Sequence, residues 1–394
     1  MRGGWTFLIV VLGACAARPT ASTTSALEPP TSGRLRAVYE RAKGSGPGVL
    51  ELALGGPSCA RLRGRLVRCW GSNDAGQLGN GSTQHQHTPK LVPSLEGATQ
   101  LAVGGSHACA RVTGGTVRCW GSGSLGQLGD GAQRARSEPV TLQRLTGVAQ
   151  VALGDAHGCA LLFDGEVRCW GFNAAGQLGD GSALDRPEPV AVRGLSGAVQ
   201  VALGHYHSCA LLGDGTARCW GFNGAGQLGD GTLADRFAPR PVAGLTGAAQ
   251  LALGRHHTCA RLGDGTARCW GANGAGQLGD GTAIDRGLPS RVQGLDDVVE
   301  LALGDQHTCA RRRDGTMWCW GANGDGQLGD GTRSYHRTPV LVRGLRGVAQ
   351  VALGERHSCA RTADGEAWCW GDNDLGALGD GTTTDRTEPV PVAW

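Results

Sequence analysis

The sequence predicts an all-β protein, a seven-bladed β-propeller of four-stranded antiparallel blades. A Cys-Trp-Gly triplet recurs every 50 residues, at Cys69, Cys119, Cys169, Cys219, Cys269, Cys319 and Cys369. Each copy holds four short apolar runs, separated by the turn-forming residues Gly, Asp, Asn and Pro. Gly and Pro supply 69 and 16 of the 394 residues, which argues against a core of amphipathic helices. Four strands in a repeat of this length are typical of a propeller blade.

The first element, residues 1–15, resembles a bacterial lipoprotein signal peptide. Arg2 precedes the apolar run W-T-F-L-I-V-V-L, which is too short to cross a bilayer as a helix, and Leu-Gly-Ala then precedes Cys15. The resemblance implies that the Cys15 thiol is lipidated and becomes the mature N-terminus. Ala16, in place of aspartate, favours the outer membrane by the same resemblance. The alternative is an ordinary signal peptide in which Cys15 is incidental.

The second element, residues 16–47, is dominated by Ser, Thr, Pro and Ala, a composition that predicts a flexible tether. The propeller then spans residues 48–394. We therefore expect an exported, monomeric protein of the cell envelope, facing the periplasm or the exterior. Its membrane contact would be the lipid anchor alone.

Each repeat supplies one blade. In the copy that begins at Leu251, the strands are expected at 251–253, 258–262 and 267–270, with a weaker fourth strand of the kind seen at 339–342. An open β-solenoid is the alternative, but it would need polar capping repeats, and the sequence shows none. We expect a closed ring in which Pro389–Val392 completes the sheet begun by the first repeat.

Fourteen cysteines fall into seven pairs of identical spacing. A three-residue loop at Gly263-Asp264-Gly265 places Cys259 directly opposite Cys269, whereas a two-residue turn would place them on opposite faces of the sheet. An exported protein meets an oxidising compartment, so we predict one disulfide in each blade. The pairs are Cys59–Cys69, Cys109–Cys119, Cys159–Cys169, Cys209–Cys219, Cys259–Cys269, Cys309–Cys319 and Cys359–Cys369. The first pair departs from the pattern because its turn is Arg63-Gly64-Arg65.

Two other roles for these cysteines stay open. His257, Cys259 and Cys269 have the residue types of a zinc site, although the nine residues between the cysteines do not match the usual zinc spacing. The thiols would otherwise be free and buried. The run Asn323–Asp330 superficially resembles a calcium loop but lacks the terminal glutamate, so we expect a compact turn and no bound metal.

Histidine and tryptophan recur in register in the blades. The histidines are His107, His157, His207, His257, His307 and His357, and the first repeat has Pro57 instead. Repetition favours a structural role, with each histidine hydrogen-bonded to the neighbouring blade. The alternative is a histidine ring that binds an ion or an acidic ligand. The tryptophans of the triplets, Trp70 to Trp370, are expected to pack between blades.

Three strings carry a family resemblance. They are G-x-x-H-x-C-A-L, D-G-x-V-x-C-W-G and N-x-x-G-Q-L-G-D-G-T, and they resemble the regulator of chromosome condensation repeat family from about residue 48 to the end. The resemblance implies a seven-bladed propeller. In the eukaryotic founder this fold is a guanine-nucleotide exchange factor that binds chromatin. Relatives are protein-binding modules, including a secreted bacterial β-lactamase inhibitor. The export signal and the paired cysteines depart from the founder.

A candidate binding face follows from what differs between the copies. The two residues before each repeated histidine vary, and they lie in the loop between the first and second strands. That loop shares a face with the connection between the third and fourth strands, so variable side chains gather on a rigid scaffold. The alternative is that these positions are merely exposed. The candidate residues are Asp155, His205, Tyr206, Arg255, His256, Asp305, Gln306, Glu355 and Arg356.

The function expected from these features is a non-catalytic, surface-anchored binding or scaffold module for a protein or glycan, without a cofactor. A first alternative is an exchange factor like the founder, although an exported chain would not meet a cytosolic GTPase. A second is a polysaccharide hydrolase with Asp305 and Glu355 as its carboxylate pair. The net charge is +3, from 37 basic and 34 acidic residues, and no basic run points to nucleic acid.

Overall fold

A computed structural model describes residues 48–394, and this part of the chain forms seven four-stranded antiparallel sheets, the blades of a propeller. The proposed signal peptide, Cys15 and the tether lie outside the described residues. Within 48–394 the one helical element is a 3-10 turn at Arg63–Arg65. In this range there is no helix with the length and apolar character needed to cross a membrane.

The first three blades are built from consecutive strands. Blade 1 contains β1 (Val49–Leu54), β2 (Ser58–Leu62), β3 (Val67–Gly71) and β4 (Gln86–Leu91). Blade 2 contains β5 (Ala98–Val103), β6 (His107–Val112), β7 (Thr116–Gly121) and β8 (Arg136–Thr141). Blade 3 contains β9 (Val148–Leu153), β10 (His157–Leu162), β11 (Val167–Gly171) and β12 (Arg186–Ala191).

The remaining four blades repeat this arrangement. Blade 4 contains β13 (Ala198–Leu203), β14 (His207–Leu212), β15 (Ala217–Gly221) and β16 (Arg236–Pro241). Blade 5 contains β17 (Ala248–Leu253), β18 (His257–Leu262), β19 (Ala267–Gly271) and β20 (Arg286–Arg291). Blade 6 contains β21 (Val298–Leu303), β22 (His307–Arg312), β23 (Met317–Gly321) and β24 (His336–Leu341). Blade 7 contains β25 (Val348–Leu353), β26 (His357–Thr362), β27 (Ala367–Gly371) and β28 (Arg386–Pro391).

The hairpin between the second and third strands has the predicted register. In blade 5, Cys259 is the direct partner of Cys269, and Leu262 N donates to Thr266 O across a three-residue loop. Gly265, the third loop residue, has a φ of 81°, a value that favours glycine. The structure contains all seven disulfides of the predicted pairing, including Cys59–Cys69, whose different turn keeps the same register.

The expectation for ring closure is wrong. The final strand, β28, pairs with β27 in blade 7, with Cys369 opposite Val390. It does not join the first blade, because β1 already supplies that blade's first strand and leaves no strand missing. The ring closes instead by contacts between complete blades. Gln350 Nε2 donates to Leu52 O at 2.9 Å, and the Trp394 ring meets the Trp70 ring edge to face at 5.8 Å.

The hydrophobic core lies between the blades, as predicted for the tryptophans. Each cluster combines the disulfide of one blade with the triplet tryptophan of the next; Cys209 and Cys219, for example, pack with Trp270. All seven of these tryptophans are fully buried. Wedge-shaped interfaces between sheets are filled well by flat aromatic rings. Every blade therefore depends on a neighbour for its core.

Glycines surround the axis where the first strands end. Around Gly304, an added Cβ would lie 2.2 Å from His307 Cε1 and 2.6 Å from the backbone oxygen of Gly354 in the next blade. The same close approach recurs at Gly104, Gly154, Gly204 and Gly254. The blades can converge this closely because no side chain separates them.

Candidate functional site

The scaffold of the site is a hydrogen-bond relay between blades, and it explains the repeated histidines. Ser208 Oγ donates to the backbone oxygen of Gln177 at 2.9 Å, so His157 Nε2 must be the donor in its 2.9 Å bond to Ser208. Trp220 Nε1 donates to the same Gln177 oxygen at 2.9 Å. His207, His257, His307 and His357 make equivalent bonds to Thr258, Thr308, Ser358 and Ser58. The histidines therefore tie blades together, as the structural interpretation predicted.

Two interfaces lack this bond, and the sequence explains both. Blade 1 has Pro57 in place of the histidine, and the matching hydroxyl position in blade 2 is Ala108. His107 faces Gly158, which offers no hydroxyl, so this histidine cannot make the bond between blades. Burial lowers the pKa of His107 to about 4 and that of His257 to about 3. The relay histidines with lowered pKa values are thus neutral at physiological pH.

The variable residues before each histidine gather at one mouth of the central channel. This mouth belongs to what we call the loop face, formed by the loops between first and second strands and between third and fourth strands. His205 Nε2 contacts Asp305 Oδ1 at 2.9 Å, which links blades 4 and 6. Arg255 Nη1, from the blade between them, reaches Asp305 Oδ2 at 3.3 Å. A cavity of about 90 Å³ opens here, lined by the axial glycines and by Asp155, His205, Arg255, Asp305 and Glu355.

Charge at the mouth is partly compensated. Burial opposes the charged form of His205, but the hydrogen bond and charge of Asp305 outweigh it and raise the pKa of His205. Burial likewise opposes a charged Asp305, yet His205 and Arg255 lower the pKa of Asp305. Burial, followed by the charge of Asp305, raises the pKa of Glu355. The geometry therefore favours an ion pair of His205 with Asp305 beside a less acidic Glu355.

An aromatic groove lies beside the mouth, on blades 3 to 5. It has a volume of about 460 Å³ and is lined by Phe172, Ala174, Ala175, Tyr206, Phe222 and His256. The Phe172 and Tyr206 rings lie 5.9 Å apart, and the Phe222 and His256 rings 5.6 Å apart, both edge to face. Tyr206 Oη donates to Asp155 Oδ2 at 3.2 Å, so the phenol is anchored while its ring stays in the groove. The groove can take an apolar group against several ring surfaces.

An acidic sector occupies the same face on blades 6 and 7 and comprises Asp325, Glu355, Asp372 and Asp374. Arg356 binds Asp325 through two bonds, Nε to Oδ2 at 2.9 Å and Nη2 to Oδ1 at 2.8 Å. Burial raises the pKa of Asp372, and the charge of Asp374 adds to this effect. The loop face is thus aromatic on one side and acidic on the other.

The structure brings together most, but not all, of the candidate binding residues. Asp155, His205, Arg255, Asp305 and Glu355 line the mouth, whereas Tyr206 and His256 line the aromatic groove. Arg356 turns to Asp325, and Gln306 is exposed with its backbone oxygen bonded to Ala322 N.

Sequence reasoning missed Phe172 and Phe222. Each follows a Cys-Trp-Gly triplet, and this position also varies between copies: Ser72, Ser122, Ala272, Ala322 and Asp372 stand there in the other blades. The signal was therefore present, but only the residues before the histidine were compared. Phe222 N donates to Tyr206 O at 2.8 Å, which places the two variable positions side by side.

The run Asn323–Asp330 forms the compact turn that we expected. Gly326 and Gly329 have φ values of 84° and 69°. The Asn323 amide oxygen accepts from Leu328 N, and its Nδ2 donates to Asp330 Oδ1 at 3.1 Å. Asparagine and aspartate here bond to their own loop.

Comparison with known proteins agrees with the fold and the repeats. The family model described as RCC1-like domain matches residues 67–393. Prp20p from Saccharomyces cerevisiae, a protein studied for its binding to Gsp1p and histones, is 27% identical, with a TM-score of 0.75 over 83% of this chain and 85% of that chain. A search of curated proteins finds no match.

Two further solved structures share the fold. Human WBSCR16 is 24% identical, with a TM-score of 0.76 over 84% of this chain and 94% of that chain. The ectodomain of the receptor kinase CR4 from Physcomitrella patens is 20% identical, with a TM-score of 0.53 over 82% of this chain and 74% of that chain. With seven complete blades and a family match over most of its length, the chain belongs to the RCC1-like domain family.

Proposed function

We propose that the protein is an exported, non-catalytic binding module that recognises a protein partner through its loop face. The observation that carries this proposal is the uneven distribution of side chains on a sevenfold scaffold. The fold repeats in every blade, so it does not require Phe172, Tyr206, Phe222 and His256 at positions that hold Ser, Ala or Gln in other blades. Binding is the simplest reason for an aromatic groove at that place.

Exposed aliphatic side chains extend the apolar area on the same blades. Leu184, Leu233 and Ile284 lie in the third connections of blades 3, 4 and 5, with 64%, 66% and 62% of their surface exposed. The equivalent positions of the other blades, 83–84, 133–134, 333–334 and 383–384, are polar. Aliphatic and aromatic side chains together favour a protein over a glycan as the ligand, since sugars stack mainly on aromatic rings.

The disulfides and the proposed signal peptide support a partner outside the cytoplasm. Seven disulfides indicate an oxidising environment, and the lipoprotein-type signal peptide is the proposed route to it. The similarity to Prp20p, which binds Gsp1p and histones, supports a protein as the class of partner. An exchange factor for a cytosolic GTPase would require the opposite compartment.

The contacts of Asp305 at the mouth do not favour hydrolysis. Both carboxylate oxygens of Asp305 are engaged, one by His205 and one by Arg255. A general base or nucleophile needs a free oxygen directed at its substrate. The mouth cluster therefore fits a role in holding three blades together at the axis.

The test is capture of partners by the exported full-length chain in its native envelope. A variant with Phe172→Ser, Tyr206→Ser, Phe222→Ser and His256→Gln replaces the groove with residues that other blades hold at these positions, so the fold should tolerate it. Phe163→Gly is the matched control, because Phe163 is exposed on the opposite face and two other blades have glycine there.

The expected result is that a defined set of proteins is cross-linked to the parent chain and to Phe163→Gly but not to the groove variant. Recovery of the same set with all three chains would contradict the proposal. A matched unfolding temperature for the three chains excludes misfolding as the cause.

A further inference from the structure

Arginines recur on the second strands near the end of the propeller opposite the loop face. This end, which we call the hairpin end, holds the turns between second and third strands. Five second strands carry an arginine at one repeat position: Arg61, Arg111, Arg261, Arg311 and Arg361. Blades 3 and 4 have Leu161 and Leu211 there, the leucine of the family string C-A-L. The fold thus accepts leucine at this position and does not itself require arginine.

Two of the five arginines have a carboxylate partner within the same blade. Arg61 Nε donates to Glu51 Oε2 at 2.8 Å, and Arg311 Nε donates to Glu300 Oε2 at 2.8 Å. In both blades the glutamate lies on the first strand directly opposite the arginine. In these two blades, a glutamate on the first strand therefore neutralises the arginine.

The other three arginines, Arg111, Arg261 and Arg361, face glutamine instead. Gln100, Gln250 and Gln350 are their direct partners in the strand register. Each glutamine is hydrogen-bonded to the next blade through both its Nε2 and its Oε1. Gln250 Nε2 donates to Leu301 O at 3.0 Å, and Leu301 N donates to Gln250 Oε1 at 3.0 Å. The bonds of Gln100 to Val151 and of Gln350 to Leu52 are the same.

The three arginines are therefore left with donors that nothing in the described chain accepts. Their Nε atoms are buried without a hydrogen-bond partner among residues 48–394. Arg261 and Arg361 reach only backbone oxygens at 3.4 Å, Arg261 through Nη1 and Nη2 and Arg361 through Nη1. The charge of Arg361 acts to lower the pKa of Glu300, but the Glu300 carboxylate is already hydrogen-bonded to Arg311. Packing of the arginine stem does not explain the charge, because leucine covers the same surface in blades 3 and 4.

A depression is available beside one of these arginines, Arg261. It has a volume of about 450 Å³ and is lined by Arg261, Arg311, Glu300, Gln200, Gln250 and Leu211. The aspartates of the nearby turns are used locally; Asp264, for example, accepts from the backbone and hydroxyl of Thr266. Positive charge thus exceeds negative charge among the side chains of the repeated position, with five arginines and two glutamates.

We infer that the hairpin end binds a phosphate-bearing anion at Arg261, in the depression that this guanidinium lines, with Arg111 and Arg361 on blades 2 and 7 adding positive charge at the same end. A guanidinium presents its donors in a planar fork that matches phosphate oxygens, and an anion would supply the acceptors that the buried Nε atoms lack. The phosphate has two conceivable sources. It belongs to a free small molecule or to a lipid headgroup, because Val49 begins β1 at this end and residues 16–47, the proposed tether, precede it in the sequence.

The experiment is calorimetric titration of the full-length chain with inorganic pyrophosphate at low salt. The parent chain should bind saturably, and binding should weaken as sodium chloride is added. The triple variant Arg111→Gln, Arg261→Gln, Arg361→Gln should lose affinity by about tenfold or more, and Arg261→Gln alone should account for most of the loss. The matched control, Arg118→Gln, Arg218→Gln, Arg268→Gln, removes the same charge from the third strands and should bind as the parent does.

A reciprocal variant keeps every arginine. Gln250→Glu recreates in blade 5 the pairing that blades 1 and 6 already contain, so it should fold and should weaken pyrophosphate binding by neutralising Arg261. Flotation with vesicles of phosphatidylglycerol, against vesicles of phosphatidylcholine, identifies the source. Binding to the anionic vesicles that the triple variant loses supports a headgroup, and binding to pyrophosphate alone supports a free phosphate. Equal pyrophosphate binding by parent and triple variant, or saturable binding of neither probe, would overturn the inference.

Discussion

Acid should weaken the propeller through its relay histidines, and His257 allows this effect to be measured. Burial lowers the pKa of His257 to about 3, whereas in the unfolded chain the imidazole has its ordinary pKa of about 6.5. Between these values only the unfolded chain takes up the proton. The titration of His257 therefore has little effect on the free energy of unfolding above about pH 6.5, and it lowers that free energy as the pH falls towards 3. From pH 7 to pH 5 the loss is about 2 kcal/mol for each such histidine.

The assay compares the free energy of unfolding in guanidinium chloride at pH 7 and pH 5, with the disulfides intact. His257→Gln keeps a donor for Thr308 but carries no titratable group, so its loss between the two pH values should be about 2 kcal/mol smaller than that of the parent chain. His87→Gln removes an exposed histidine outside the relay and serves as the control for the substitution itself. If His257→Gln and the parent lose the same free energy, then His257 does not stay neutral in the folded state and the reasoning fails.

Three further predictions concern stability, and denaturant unfolding checks each of them. Gly304→Ala should cost more than about 3 kcal/mol or prevent folding, because its methyl group would clash at the axis, whereas Gly213→Ala, whose Cβ has no neighbour closer than 3.7 Å, should be tolerated. Cys259→Ala with Cys269→Ala should cost about 3 kcal/mol from the loss of a short loop closure, and no change would show that the bridge is dispensable. Ser208→Ala should cost about 2 kcal/mol, because the imidazole of the preceding blade loses its acceptor; a neutral result would contradict the relay.

The strand register and the loop positions within a blade were predictable because they depend only on the residues of one repeat. The Cys259 and Cys269 register followed from counting residues across a three-residue turn. The position of residues 205 and 305 on the loop face followed from their place between the first and second strands. In both cases the residues concerned lie close together in the sequence, so the local turns fix their positions.

The expectations that were wrong or incomplete concern contacts between different blades or between different connections of one blade. Closure through Pro389–Val392 was wrong because the sequence shows the period but not where within it a sheet begins. The bond between His205 and Asp305 joins loops 100 residues apart, and it exists only because the curvature of the ring brings alternate blades together at the axis. Phe222 was overlooked because its contact with Tyr206 joins two connections of one blade that the comparison treated separately.

Because each sheet is one uninterrupted stretch of chain, the circle can be opened at any linker between blades without breaking a strand pair. Circular permutants that start at the segments before β5, β9 or β13 should therefore preserve every ladder hydrogen bond. For the same reason, in-frame duplication or deletion of a 50-residue unit would leave every sheet intact. Only the packing between neighbouring blades would have to adjust. Such a gene could change its number of blades in single steps.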